Sequence, residues 1–588
     1  MTHTTIMIKF SFLFPLFICS IISLHAQTTD TAGHNWADSV YNSLSGDQRI
    51  AQLMVVRLSS IDSKTKTITF FDEKVMQQVK QFNIGGICLF QGSPVKQALL
   101  VNQLQAAAQT PLLICIDGEN GVGMRMTDSV LPLPRQMMLG AVQDTAIIYQ
   151  YGKIVGEQCR RAGIQVNYAP VVDVNNNPAN PVINDRSFGE DKYKVAAFGI
   201  QYMKGMQDVG VMACAKHFPG HGDVAVDSHL DLPVINKTMA ELDSLELYPF
   251  RKMFAAGTGS VMVAHLYIPA IDSTTHLATS LSKNNITGLM RNQLGYQGLT
   301  FTDALEMQGV KKYFPSGEAS VQSIIAGNDM LCLPEDVPMA VAKIKAAIEE
   351  GRLSWNDIEG HCKKVLLAKY QYGLSRLQPV NTENITSDLN SKVTAMRKLV
   401  AENALTVLKK TGDTFFPMAV PKKPVANDVV YVSVGRQADN SFAKRIRNDY
   451  GAAVFYFNYK QHATRILSTV ELIKKRYKKV IIGIHNYSRT PAGNFGISKT
   501  AVELVTRLQE ETNSITFVFG NPYAIKNWCN AKNLIACYED DSIVEHTALD
   551  LLQGKMAATG RLPVTVCENF LFGSGINVPV FFYPIRRQ

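Results

Sequence analysis

Between residues 50 and 335 the chain alternates short apolar runs with longer stretches of helical period, a pattern that predicts repeated βαβ units and a parallel sheet covered by helices. Eight runs read as strands: Leu53–Leu58, Gly86–Phe90, Leu112–Asp117, Val166–Ala169, Val211–His217, Val261–Ala264, Leu299–Asp303 and Asp329–Leu333. Eight such strands in about 280 residues suit a TIM (β/α)8 barrel. The polar stretch Leu377–Ser391, with Pro379 and several Asn, Thr and Ser, reads as a linker. Beyond it a second series follows: Val429–Val434, Ala453–Phe457, Val480–Ile484, Ile515–Phe519 and Leu534–Cys537. The expected fold class is therefore α/β, a barrel over 27–376, a linker over 377–394 and a three-layer α/β sandwich over 395–588.

Composition narrows the class. A chain of 588 residues with 46% hydrophobic and 19% charged residues has enough apolar side chain to bury a full core. The net charge of +9 is spread along the chain, and its densest patch, Lys474–Lys479, reads as a solvated helix end, so no nucleic-acid partner is expected. Residues 1–26 open with Lys9, run apolar from Phe10 to Ile22 and end Ser-Leu-His-Ala, which predicts a secretory signal peptide and an exported, periplasmic or secreted protein. A lipoprotein anchor at Cys19 is disfavoured by bulky Ile18 before it, and no later run is long enough to span a membrane. The nine other cysteines form no C-x-x-C pair and several lie in apolar runs, so they are expected as small core residues, not as a disulfide framework or zinc site.

The chemistry concentrates in Ala215–Pro233, which packs three His and three Asp into a Gly- and Pro-broken loop after a strand. In a parallel barrel the carboxyl ends of the strands build the active site. Asp117, Asn167, Lys216, His217, His265 and Asp303 all fall at or beside such ends. Asp303 suits a nucleophile, although an Asp in that place also serves as the N-cap of a following helix. Asp227 and His229 are spaced so that the carboxylate can orient the imidazole and raise its pKa, or so that the two simply form a loop salt bridge. His217 and His221 are four apart, but Pro219 and Gly220 break any helix between them, so neither a metal nor any other cofactor is expected. The Gly118-x-x-Gly121-x-Gly123 turn lacks the Gly-Lys-Ser/Thr of a nucleotide loop, the second series carries no dinucleotide fingerprint, and no G-x-S-x-G elbow occurs.

These residues resemble glycoside hydrolase family 3, and within it the bacterial β-N-acetylglucosaminidases. The matching segments are Asp117-Gly118-Glu119-Asn120-Gly121 through Arg125, Asn167-Tyr168-Ala169-Pro170 through Asp173, Asp185-Arg186-Ser187-Phe188-Gly189, Lys216 through Gly222, Asp227-Ser228-His229 and Thr302-Asp303-Ala304. Gly520-Asn521-Pro522-Tyr523 and Gly560-Arg561-Leu562-Pro563-Val564-Thr565 extend the similarity into the second domain. The resemblance implies that Asp303 attacks the anomeric carbon, that His229, oriented by Asp227, is the acid/base, and that Asp117, Arg125, Arg186, Lys216 and His217 bind the sugar. It also implies that the second domain is non-catalytic support, because the acid/base of the β-glucosidase branch, a Glu from that domain, is here replaced by a barrel-loop Asp-x-His. Asn120 stands where the family usually has Gly. The implied activity is retaining exo-hydrolysis of terminal β-linked N-acetylglucosamine from a carbohydrate partner, in peptidoglycan or amino-sugar glycan turnover. The other readings are a phosphorylase, a β-glucosidase-like activity, and a carbohydrate-binding protein without catalysis.

Overall fold

The computed structural model describes residues 31–225, 231–412 and 415–581. Each of the eight predicted runs is a strand: β1 Met54–Arg57, β2 Gly86–Leu89, β3 Leu113–Ile116, β4 Val166–Asn167, β5 Met212–Phe218, β6 Ser260–Val263, β7 Leu299–Thr302 and β8 Leu331–Cys332. They pair in parallel and in chain order, β8 meets β1 through Met54 and Leu331, and a bridge from Phe301 to Met330 brings β7 against β8. The sheet thus comes round on itself as a barrel. Strands β2, β3, β5, β6 and β7 are buried at every position, because one face packs inside the barrel and the other under helices.

The helices that flank β4 and β5 pack tightly on each other. Thr145–Arg161 is capped by Asp144, whose side chain accepts from the Ala146 N–H, and Lys192–Gln207 by Asp191, which accepts from Lys194. Gly152 permits their contact, since a Cβ there would lie 2.2 Å from the carbonyl oxygen of Tyr202.

The second domain is a six-stranded sheet: β9 Thr406–Lys409, β10 Val429–Val434, β11 Ala453–Phe457, β12 Lys479–Ile484, β13 Ser514–Val518 and β14 Leu534–Ala536. Its order is β9-β14-β13-β12-β10-β11, parallel except for β9, which runs antiparallel to β14. Five of these strands match the second predicted series. The sixth, Thr-Val-Leu-Lys, was too short to stand out beside the helix Val393–Ala404.

Two expectations are corrected. Within the polar 377–391 stretch the chain forms a helix, Ile385–Asn390, because Ile385 and Leu389 fall one turn apart and are both buried. Cys529 and Cys567 are joined in a disulfide, whereas the other seven described cysteines are free and buried as expected. The paired cysteines lie outside the strands, Cys529 just after the helical turn Pro522–Trp528 and Cys567 in the C-terminal segment, so sequence runs gave no sign of their meeting.

Candidate active site

At the carboxyl ends of the barrel strands a cavity of about 230 Å³ is lined by Asp117, Arg125, Tyr168, Arg186, Lys216, His217, His221 and Asp303, with Arg57, Phe90 and Glu306 among its other walls. Among the described residues every one that lines it belongs to the barrel. The floor is a charge network. Lys216 Nζ donates to Asp117 Oδ1 at 2.5 Å and lies 2.8 Å from Glu119 Oε1. Arg186 grips Glu119 with both arms of its guanidinium, Nη2 to Oε1 at 2.6 Å and Nε to Oε2 at 3.0 Å. Arg125 pairs with the second oxygen of Asp117 and donates its Nε to the Asp117 carbonyl at 2.9 Å.

These contacts fix the protonation states. Burial alone would push the Asp117 and Glu119 carboxyls up, but Lys216 and Arg125 around Asp117, and Arg186 and Lys216 around Glu119, outweigh it and hold both below the usual carboxylate range. Burial likewise opposes charge on Lys216, yet Asp117 and Glu119 raise its pKa. Two carboxylates therefore face three cations, which leaves donor N–H groups in excess on a floor suited to binding hydroxyl and carbonyl oxygens.

His217 is held from behind. Its Nδ1 meets Asp173 Oδ2 at 2.7 Å, while the other oxygen, Oδ1, accepts from the backbone N–H groups of His217 at 3.1 Å and His221 at 2.7 Å. With Nδ1 donating to that carboxylate, Nε2 is left to accept from Arg186 Nη2 at 3.4 Å. The peptide between Lys216 and His217 is cis.

Asp303 follows β7 and lines the cavity, and its Oδ1 accepts from the Ala304 N–H at 2.8 Å. The N-cap reading of Asp303 is set aside, because the following helix, Gln308–Lys311, begins after Met307. His265 is 0% exposed and spans Ser280 Oγ at 2.6 Å and the Ala304 carbonyl at 2.9 Å, so it fixes the turn beside Asp303. Asn167 does the same for the turn after Asp117, accepting from the Gly118 N–H at 2.9 Å and donating to its carbonyl at 3.1 Å.

The five sequence-predicted sugar-binding residues, Asp117, Arg125, Arg186, Lys216 and His217, come together around one cavity with Asp303. Asn167 and His265, expected on the same rim, support backbone instead. Asp227 and His229 lie outside the described residues. Glu119 and Asp173 were quoted in the motifs but given no role; each is a buried carboxylate facing a cation or imidazole. Their signal was an acidic residue two positions beyond Asp117 and another three beyond Pro170. At the Asn120 turn the left-handed residue is Gly121, with φ of +83°, while Asn120 donates its side-chain amide to the Leu133 carbonyl at 2.9 Å. Asp223 pairs with Lys237 at 2.8 Å. In the second domain His485, Asp540 and Glu545 cluster, but His485 Nδ1 meets Asp540 at 2.7 Å and Arg436 lies against both carboxylates.

Residues 45–368 match the profile described as "Glycosyl hydrolase family 3 N terminal domain". The chain belongs to glycosyl hydrolase family 3. Family 3 membership makes it a glycoside hydrolase. Among relatives, Beta-hexosaminidase A of Pseudoalteromonas piscicida is 34% identical over 289 residues, 45% of this chain and 48% of that protein, so the match spans about half its length. The Beta-N-acetylglucosaminidase/beta-glucosidase of Cellulomonas fimi is 25% identical over 558 residues, 91% of this chain and 96% of that protein. The solved family 3 beta-N-acetylglucosaminidase from Paenibacillus sp. str. FPU-7 has a TM-score of 0.71 at 28% identity, covering 89% of this chain and 99% of its own.

Proposed function

We propose that this chain is a retaining exo-β-N-acetylglucosaminidase that removes one terminal non-reducing sugar by double displacement through a glycosyl-Asp303 intermediate. The observation that carries the reading is the cavity itself. About 230 Å³, walled by the barrel and floored by Asp117, Arg125, Arg186, Lys216 and His217, is below the roughly 300–1,000 Å³ that drug-sized ligands occupy and suits a single ring. Hydrogen bonds from such a rigid floor orient the anomeric carbon toward Asp303. His229, positioned by Asp227, then protonates the leaving oxygen and later deprotonates water. The β-hexosaminidase relatives support an N-acetylhexosaminide substrate.

The biological setting proposed is peptidoglycan or amino-sugar glycan turnover outside the cytoplasm. The apolar N-terminal run and the Cys529–Cys567 disulfide support export, since such bonds persist in oxidising compartments. Among the described residues no helix is long and apolar enough to cross a membrane.

The test is a chromogenic aryl N-acetylglucosaminide beside a natural disaccharide, with products identified in the presence and absence of phosphate. Asp303→Ala should lose activity on both substrates. His229→Ala should lose least on the aryl glycoside, whose leaving group departs without protonation, and azide should then accelerate turnover. Equal losses on both substrates with no azide response would refute the assignment, and sugar phosphate as the product would replace hydrolysis by phosphorolysis.

A further inference from the structure

Among the described residues the second domain contributes none to the cavity lining, yet it grips the loop that does. That loop, Asp173–Glu190, runs between β4 and the helix Lys192–Gln207 and carries two groups of the site: Asp173, which holds His217, and Arg186, which holds Glu119. Its base is pinned within the barrel, where Ser187 Oγ donates to the Asp173 carbonyl at 2.6 Å and the Asn175 N–H to the Gly189 carbonyl at 2.9 Å. Its middle is held to the barrel by Asn180 Nδ2, which donates to the His221 and Gly222 carbonyls at 3.0 and 2.9 Å, and the loop is tied to the other domain at four further places. Asn175 Nδ2 donates to Tyr523 Oη at 2.8 Å. Asn521 Nδ2 donates to Asn184 Oδ1 at 2.5 Å and to the Arg489 carbonyl at 3.0 Å. Arg489 Nη2 and Nε reach Asp185 Oδ2 at 2.7 and 2.9 Å. Glu190 accepts from the Thr565 N–H at 2.7 Å and hydroxyl at 2.6 Å, and its own N–H donates to the Pro563 carbonyl at 3.1 Å.

The approach is close: a Cβ on Gly189 would stand 2.2 Å from the Pro563 carbonyl oxygen. Asn521 and Tyr523 are 3% and 4% exposed, so these bonds are sheltered from water, where a lost partner leaves a buried polar group unsatisfied. The tethers come from the two second-domain motifs, Gly-Asn-Pro-Tyr at 520–523 and Gly-Arg-Leu-Pro-Val-Thr at 560–565, together with Arg489. The two residues flanking Arg186 on its N-terminal side, Asn184 and Asp185, are both held.

We propose that the second domain is a positioning element for the sugar-binding loop, acting through Asn521, Tyr523, Thr565 and Arg489 to set Arg186 and Asp173 in register with the cavity floor. These four are positioning residues, because none touches the cavity. The kinetic consequence rests on the glycosidase reading above. Misplacing a binding group by about 1 Å costs up to about 100-fold, so the effect of losing tethers should be visible in substrate binding while the reacting carboxylate, on a different strand, is untouched.

The experiment compares full-length wild type with Asn521→Ala/Thr565→Val, Arg489→Ala and Tyr523→Phe, and with Lys392→Ala, which removes an exposed ion pair to Glu157 away from the loop. KM and kcat are measured on the aryl N-acetylglucosaminide, and hydrogen exchange is followed for the amides of 175–190. The double variant and Arg489→Ala should raise KM about tenfold with kcat changed less than about threefold, and exchange in 175–190 should speed while β3 and β7 stay protected. Arg489→Lys should recover part of the loss. Combining Arg489→Ala with Arg186→Ala should cost less than the sum of the two. Lys392→Ala should change neither readout. Tyr523→Phe, nearly isosteric, keeps the test valid if the double variant unfolds: it should raise KM about threefold and loosen exchange near Asn175. Unchanged KM and unchanged exchange in the folded variants would overturn the proposal. If wild type fails to release the chromophore, the glycosidase reading falls, and the exchange arm still decides whether these residues hold the loop.

Discussion

Lys216 Nζ lies 2.5 Å from Asp117 Oδ1, and this pair is the hinge of the cavity floor because the lysine is also 2.8 Å from Glu119. The lysine is 1% exposed, and its positive charge, with Arg125 beside Asp117 and Arg186 beside Glu119, keeps both carboxylates ionised. Removing one partner of a buried charge pair costs about 3–5 kcal/mol, since the remaining charge is left uncompensated. Lys216→Met should therefore lower the unfolding free energy by about 3 kcal/mol at pH 7, Arg125 and Arg186 absorbing the remainder. The deficit should shrink toward pH 4, where a carboxyl takes up a proton. A urea titration showing a loss under about 1 kcal/mol would contradict this account.

Asp173 accepts three hydrogen bonds, from His217 Nδ1 and from the N–H groups of His217 and His221. Burial alone would push its carboxyl up, but His217 more than offsets this and lowers it. Asp173→Asn places an NH2 where one of these donors points. The expected result is a loss on the order of 2 kcal/mol in stability together with a raised KM, because His217 can no longer keep its Nδ1–H tautomer. Asp173→Asn with wild-type KM would remove His217 from the binding floor.

The Cys529–Cys567 bond closes a 38-residue loop within the second domain. Chain-entropy reasoning gives such a crosslink roughly 2–4 kcal/mol. A Cys529→Ala/Cys567→Ala variant should have an unfolding free energy lower by that amount in a urea titration, while kcat at 25 °C persists and any loss of activity appears in KM, since Cys567 lies two residues from the Thr565 tether. Coincident denaturation curves for variant and wild type would show the bond to be idle.

The barrel was legible because the strands are short, buried and largely apolar, and the chemistry was legible because polar residues fall where the strands end. Lys216 and His217, for example, close the apolar β5. What escaped was set by long-range pairing. The β9 strand exists only because Thr406–Lys409 finds β14, more than a hundred residues away. The disulfide joins two segments with no apolar pattern. Glu119 could not be told from a solvated turn residue until Arg186, 67 positions later, was seen against it. The same holds for Asn167 and His265. Their position marked them as rim residues, but only the geometry shows that their side chains are spent on the Gly118 and Ala304 backbones.

His221 gives the sharpest pH test. It is 1% exposed, both ring nitrogens are buried without a hydrogen-bond partner among the described residues, and its ring meets that of His217 edge-on at 5.8 Å. Burial, helped by His217, depresses its pKa to about 4. In the unfolded chain a histidine titrates near 6.5. The folded state therefore binds fewer protons than the unfolded state between these values, so the stability this group provides is full above pH 6.5 and is lost as pH falls through 4. The loss by pH 4 is about 3 kcal/mol, from the linkage of a shift of this size. His221→Leu cannot take a proton and removes two unsatisfied polar atoms, so it should be no less stable than wild type at pH 7 and more stable by about 3 kcal/mol at pH 4. Unfolding free energies measured at half-unit steps across this window should diverge steadily as the pH falls. Parallel curves for the two proteins would mean that His221 finds a partner for its charge and does not sit as a neutral, desolvated ring.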